Sequence, residues 1–137
     1  MVTLLIGKKG SGKTKKLIQL ANEAVAVSQG NVVVIEKGAK LTYDITSKAR
    51  LIDTDQYAVK GYDMLFGFIS GICAGNYDVT DILIDSTFII SLEANDEMEE
   101  FTIFHQTLSD LSDANIDVLI SAAEEDLPGD INAVCEV

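Results

Sequence analysis

Apolar residues run in two rhythms along this chain of 137 residues. In the first, short runs dominated by Val, Ile and Leu predict buried strands, and the continuous Val32-Val33-Val34-Ile35 predicts one covered on both faces. Val2-Thr3-Leu4-Leu5-Ile6, Val32-Val33-Val34-Ile35, Ile82-Leu83-Ile84-Asp85 and Ile116-Asp117-Val118-Leu119-Ile120-Ser121 are such runs, and Arg50-Leu51-Ile52-Asp53 is a weaker one. In the second rhythm, apolar positions recur every three or four residues and predict helices with one buried face. Leu17, Leu20, Ala21, Ala24 and Ser28 place a helix over 13–28, with Gly30 just past its end. Leu65, Phe68, Ile69 and Ile72 place a second over about 62–74, closed by Gly75-Asn76. Phe101, Phe104, Leu108 and Leu111 place a third over about 96–113, with Asp96 and Glu99 resembling a capping box at its start. Phe88-Ile89-Ile90 reads as core, 122–129 as an acidic loop, and 131–137 as a short edge strand.

Strands that alternate with helices pair in parallel through right-handed crossovers. The expected fold is therefore α/β: a parallel sheet of about five strands with helices on both faces, in one domain spanning 1–137. Ligands of such sheets bind beyond the carboxyl ends of the strands. Four sequence-distant positions are expected to converge there: the loop after the 2–6 strand, Glu36, Asp85 and Ser121. Asp81 starts its strand at the opposite edge and is expected to be exposed.

The loop is the strongest chemical signal. Gly7-Lys8-Lys9-Gly10-Ser11-Gly12-Lys13-Thr14 matches G-x-x-x-x-G-K-[ST] at every fixed position, after a strand and at the opening of a helix. Glycines let such a backbone curl so that its N–H groups point at phosphate oxygens, and the next helix adds its positive amino end. Lys13 is placed to reach the β- and γ-phosphates, and the Thr14 hydroxyl to coordinate Mg²⁺. Asp85, ending an apolar strand, is the second candidate metal ligand. Residue 86 is Ser, so no Glu follows Asp85 directly. Glu36, at the end of the second strand, is then the candidate base that orients a water for attack on the γ-phosphate, with Glu93 a weaker one. The competing reading makes Glu36 a loop acid paired with Lys37 or Lys40.

Charge sharpens the picture. All ten cations lie in 1–60, against five acids, for a net of +5. Residues 61–137 hold no Lys or Arg and the other 17 acids, so they carry −17 of the chain's balance of −12. So acidic a chain repels a nucleic acid backbone. The acidic half reads first as a solvated surface that aids solubility, and the sharper reading is a dipolar molecule that meets a basic protein partner, or a second copy of itself head to tail. Cys73 and Cys135 have no metal or redox spacing, and His105 has no second ligand beside it. No apolar run approaches the roughly 20 residues that span a bilayer. The opening residues MVTLLIG carry no charged leader segment. A reduced, cytoplasmic protein is expected.

Ile82-Leu83-Ile84-Asp85-Ser86 resembles the Asp-Ser strand end of RecA-like ATPases. The resemblance covers about 1–121. It implies the strand order 3-2-4-5-1, a catalytic role for Glu36 at the end of the second strand, and a γ-phosphate sensor at Ser121. The chain also resembles small bacterial phosphate-loop ATP-binding proteins labelled PilT-like, through the loop alone. Departures matter: RecA continues into further strands and DNA-binding loops, and here Arg50 is the only arginine. Where an arginine finger operates it contributes ~10³–10⁵ in rate, so hydrolysis is expected to be slow without a partner. The reading is a Mg-dependent ATP-binding protein, with GTP also compatible, that acts as a slow or partner-activated ATPase. The alternatives are a non-hydrolysing nucleotide sensor and, with a single arginine to clamp phosphates, more remotely a small-molecule kinase. The order of strands separates a kinase, whose first strand lies directly beside the Asp85 strand.

Overall fold

The computed structural model describes residues 1–7, 10–38, 40–41, 43–85, 98–111, 114–121, 127 and 134–136. Among these residues are six strands: β1 Val2–Gly7, β2 Asn31–Glu36, β3 Arg50–Asp53, β4 Val79–Asp85, β5 Asn115–Ser121 and β6 Val134–Glu136. Three α-helices join them: α1 Lys13–Val27, α2 Gly61–Gly75 and α3 Met98–Leu111. A 3₁₀ turn, Thr54–Tyr57, follows β3. Every strand pairing is parallel, and the order across the sheet is β3-β2-β4-β5-β1-β6. It differs from the expected five-strand order by β6, which adds to the outer side of β1. No helix among the described residues is long and apolar enough to cross a membrane.

Both faces of the sheet are covered, which explains why its strands read as predominantly apolar runs. Side chains alternate along a strand. Leu4, Ile6, Val33, Ile35, Ile82, Ile84, Val118 and Ile120 therefore face α2 and α3, where Leu65, Ile69, Phe101, Phe104 and Leu108 meet them. The other parity, Leu5, Val34, Leu83 and Leu119, faces Leu17 and Ala21 of α1 and Leu41, Ile45 and Ala49 of the segment before β3. Phe101 is fully buried, and the Tyr62 ring packs against Phe104 at 5.4 Å between centroids.

The elements differ from expectation mainly at their ends. β4 begins at Val79, three residues before its continuous apolar run. Its first residues sit at the sheet's amino edge, where Asp81 is half-buried and accepts a hydrogen bond from the Thr80 hydroxyl at 2.7 Å. So Asp81 lies at the expected edge without being exposed. The third helix starts at Met98, and Asp96, Phe88-Ile89-Ile90 and Glu93 lie outside the described residues. Gly30 is required by a close approach: a Cβ there would run into the Asp78 carbonyl oxygen and the Thr80 methyl group. Beside it the Ser28 and Thr80 hydroxyls bond each other, joining the end of α1 to the start of β4.

Candidate functional site

Five strands deliver residues to one edge. Across the sheet from β3 to β1, their carboxyl ends are Asp53, Glu36, Asp85, Ser121 and Gly7. Gly7 and Ser121 are register partners, as are Glu36 and Asp53. Parity then selects a face. Asp85 lies two residues beyond Leu83, Glu36 two beyond Val34 and Asp53 two beyond Leu51, and those three apolar residues pack on the α1 side. The carboxylates of β2, β3 and β4 thus share the face from which α1 rises.

The start of α1 has unusual chemistry for a helix. Its cap is Gly12, at φ 90° and ψ 20°, and Gly10 is likewise left-handed at φ 85°. These conformations suit glycine, and a Cβ at either position would meet nothing within 4 Å. Its glycine cap has no side chain to offer the first amides, and the first turn holds no acid. It holds Lys13, Lys15 and Lys16 instead. Cations at a helix amino end oppose the helix dipole, and an exposed helix normally carries acids there. A local choice that weakens its own helix points to a ligand that reverses the balance, and an anion does so. Lys13 is buried at 7% exposure, and its ammonium donates to the Gly7 carbonyl at 2.9 Å across the base of the loop. Ser11 and Thr14 are exposed on the same turn. Lys8 and Lys9 lie outside the described residues, and Ser121 is placed by its backbone register alone.

Glu36 is buried at 3% exposure. Its carboxylate accepts from the Leu41 amide at 3.3 Å and from the Lys40 backbone, which folds the loop after β2 over the strand end. Burial pushes the Glu36 carboxyl above its usual range. The two amides pull it back, and the neighbouring carboxylates of Asp85 and Asp53 push it further up. Lys37 does not serve Glu36: its ammonium pairs with Asp55 at 3.1 Å. A carboxyl raised in this way holds a proton more readily than an ordinary Glu, the property a general base near neutral pH requires.

Asp53 was not anticipated. Its Oδ1 accepts from the Gly38 amide at 2.7 Å and the Asp55 amide at 2.9 Å, so one carboxylate both caps the 3₁₀ turn and pins the loop after β2. The sequence signal was present in Asp53-Thr54-Asp55, a short acid followed two residues later by the amide it bonds. Among the described residues no cluster of three His, Cys, Asp or Glu side chains could hold a metal ion. Thr14 and Asp85 are the residues that would hold Mg²⁺. His105 packs beside Phe101 on α3, with ring centroids 6.4 Å apart, and Phe101 belongs to the face of the sheet opposite α1. No protein-family model matches the chain, and no curated protein matches it.

Proposed function

We propose that the protein binds Mg·ATP, or Mg·GTP by the same chemistry, at the carboxyl edge of the sheet and hydrolyses it slowly unless a partner assists. The observation that carries the reading is the amino end of α1. Its cap is a glycine without a capping side chain, its first turn carries three lysines and no acid, and Gly10 and Gly12 before it are left-handed. The backbone amides of Gly10 to Thr14, together with Lys13, would hold the β- and γ-phosphates. Thr14 and Asp85 would hold the ion, which when bound neutralises charge on those phosphates. β5 lies between β1 and β4, which supports a RecA-like arrangement over that of a nucleotide kinase. The strand places Ser121 beside Gly7, where a polar residue would sense the γ-phosphate. Glu36 would accept the proton of the attacking water. Ser86, in the position directly after the metal Asp, also favours a second reading, in which nucleotide is bound and reported without being hydrolysed.

Thermal unfolding with and without nucleotide tests the binding. Ligand at about 100 times its dissociation constant stabilises a fold by roughly 2.7 kcal/mol, and Lys13→Ala is expected to remove that gain. A melt unmoved by either nucleotide, or moved equally in Lys13→Ala, would overturn the site. Turnover, measured separately as phosphate release, divides the ATPase from the sensor.

A further inference from the structure

α2 and α3 lie side by side on one face of the sheet, and a groove of about 290 Å³ opens between them. Its apolar surface is made by the rings of Tyr62, Phe66 and Phe104, and Ile103 stands at its wall 57% exposed. Asp63 from α2 and Glu100 from α3 supply its charge. α2 contains no other charged residue in its fifteen, yet Met64 on its outer side is 49% exposed. A helix so poor in charge is ordinarily covered, and an apolar groove rimmed by charge is the form that helix-in-groove recognition uses.

The charge pattern selects the occupant. No Lys or Arg follows Lys60 in the chain. Among the described residues neither Asp63 nor Glu100 is held in an ion pair. A second copy docked face to face would set Asp63 and Glu100 against the same acids of its partner. A copy's cations all lie in residues 1–60, where the one described α-helix, α1, buries its apolar face of Leu17 and Ala21 against the sheet. That helix has no free apolar anchors to insert, and Lys48 and Arg50 line a concavity of their own beside the end of α2. We propose that the α2–α3 groove docks a basic amphipathic segment of a different protein. Apolar side chains of that segment enter between Tyr62, Phe66 and Phe104, and flanking Lys or Arg side chains meet Asp63 and Glu100. Helix-in-groove recognition works this way, with apolar anchors for affinity and charges for orientation and on-rate. The inference does not depend on nucleotide binding, since the groove lies on the opposite face of the sheet from α1.

The test uses the full chain and a fluorescently labelled amphipathic helical peptide of leucine and lysine, followed by anisotropy. Saturable binding in a one-to-one ratio is expected, weakened about tenfold or more between low and high salt as exposed charges are screened. Ile103→Ser, Asp63→Lys and Glu100→Lys are each expected to weaken it about tenfold, as loss of an anchor or reversal of a charge does. All three positions are at the surface, and far-UV circular dichroism checks that the variants fold. Glu23→Lys, on α1, makes the same change in net charge away from the groove and is expected to leave affinity unchanged. A leucine–glutamate peptide is expected not to bind. The proposal is overturned if the basic peptide fails to bind. It is overturned equally if Glu23→Lys weakens binding as much as Glu100→Lys, since net charge alone would then attract the peptide. Sedimentation showing a dimer of the protein alone that Ile103→Ser dissociates would assign the groove to a second copy and overturn it too.

Discussion

Asp117 sits mid-way along β5, between Thr3 of β1 and Leu83 of β4, on the face that α1 covers. Its neighbours on the strand, Ile116 and Val118, are buried on the other face, so the register fixes where its carboxyl must lie. Burial raises that carboxyl from 3.8 to about 6, the charge of Asp81 adds to the rise, and the amino terminus opposes it. A proton is therefore held more tightly in the folded chain than in the unfolded one. The associated stability is fully present below the unfolded value near 3.8 and is lost as pH climbs through about 6. At about 1.4 kcal/mol per pK unit, the shift sets a ceiling of roughly 3 kcal/mol. Asp117 is only half-buried, and solvent screening brings the expected effect to about 1–2 kcal/mol. Asp117→Asn keeps the shape and removes the titration. Urea unfolding of both proteins across a pH series measures the difference. The variant is expected to match the wild type near pH 4, within about 0.5 kcal/mol, and to exceed it by about 1–2 kcal/mol near pH 7.5. A difference that does not change with pH, or one that grows toward acid, would show that the strand environment does not raise this carboxyl.

Thr54 is buried at 1% exposure, and its hydroxyl has no hydrogen-bond partner among the described residues. Thr54→Val is expected to raise stability by about 1 kcal/mol in denaturant unfolding, and a loss would mean that the hydroxyl is satisfied. Gly30→Ala drives a methyl group toward backbone that cannot yield cheaply, and a destabilisation of about 1–3 kcal/mol is expected, read as a lower urea midpoint. Glu36→Gln is expected to abolish phosphate release while leaving the nucleotide-induced rise in melting temperature intact. Retained turnover in that variant would remove Glu36 as the base. Specific activity of the wild type is expected to rise with protein concentration and to fall with salt if a second subunit supplies the missing cation, and flat activity in both tests argues against one.

Local features of this protein were legible in its sequence because their causes are local. Eight consecutive residues carry the loop from Gly7 to Thr14, and the apolar stripes of α1, α2 and α3 depend only on neighbours one turn away. Runs such as Val32–Ile35 implied a sheet covered on both faces, and alternation with helices implied parallel pairing. The ends of elements were less legible. Val79–Asp81 lacks the continuous apolar pattern, and pairing with β2 and β5 is what makes it strand. Short β3 is likewise held by its register with β2. Convergence of Glu36 and Asp85 at the carboxyl edge was expected from the alternation of strands and helices, but the face they share, and the place of Asp53 beside them, belong to the tertiary structure. Glu36, Asp53 and Asp85 are tens of residues apart, and nothing in any one strand states which side of the sheet its last residue will face. Parallel pairing in a particular register puts all three on the α1 side, and burial there turns Glu36 into a carboxyl that resists ionisation. The same is true of Asp117, which looks like an ordinary polar interruption until β1 and β4 close on either side of it. A side chain's charge is a property of the residue, but its cost depends on what the folded chain places around it.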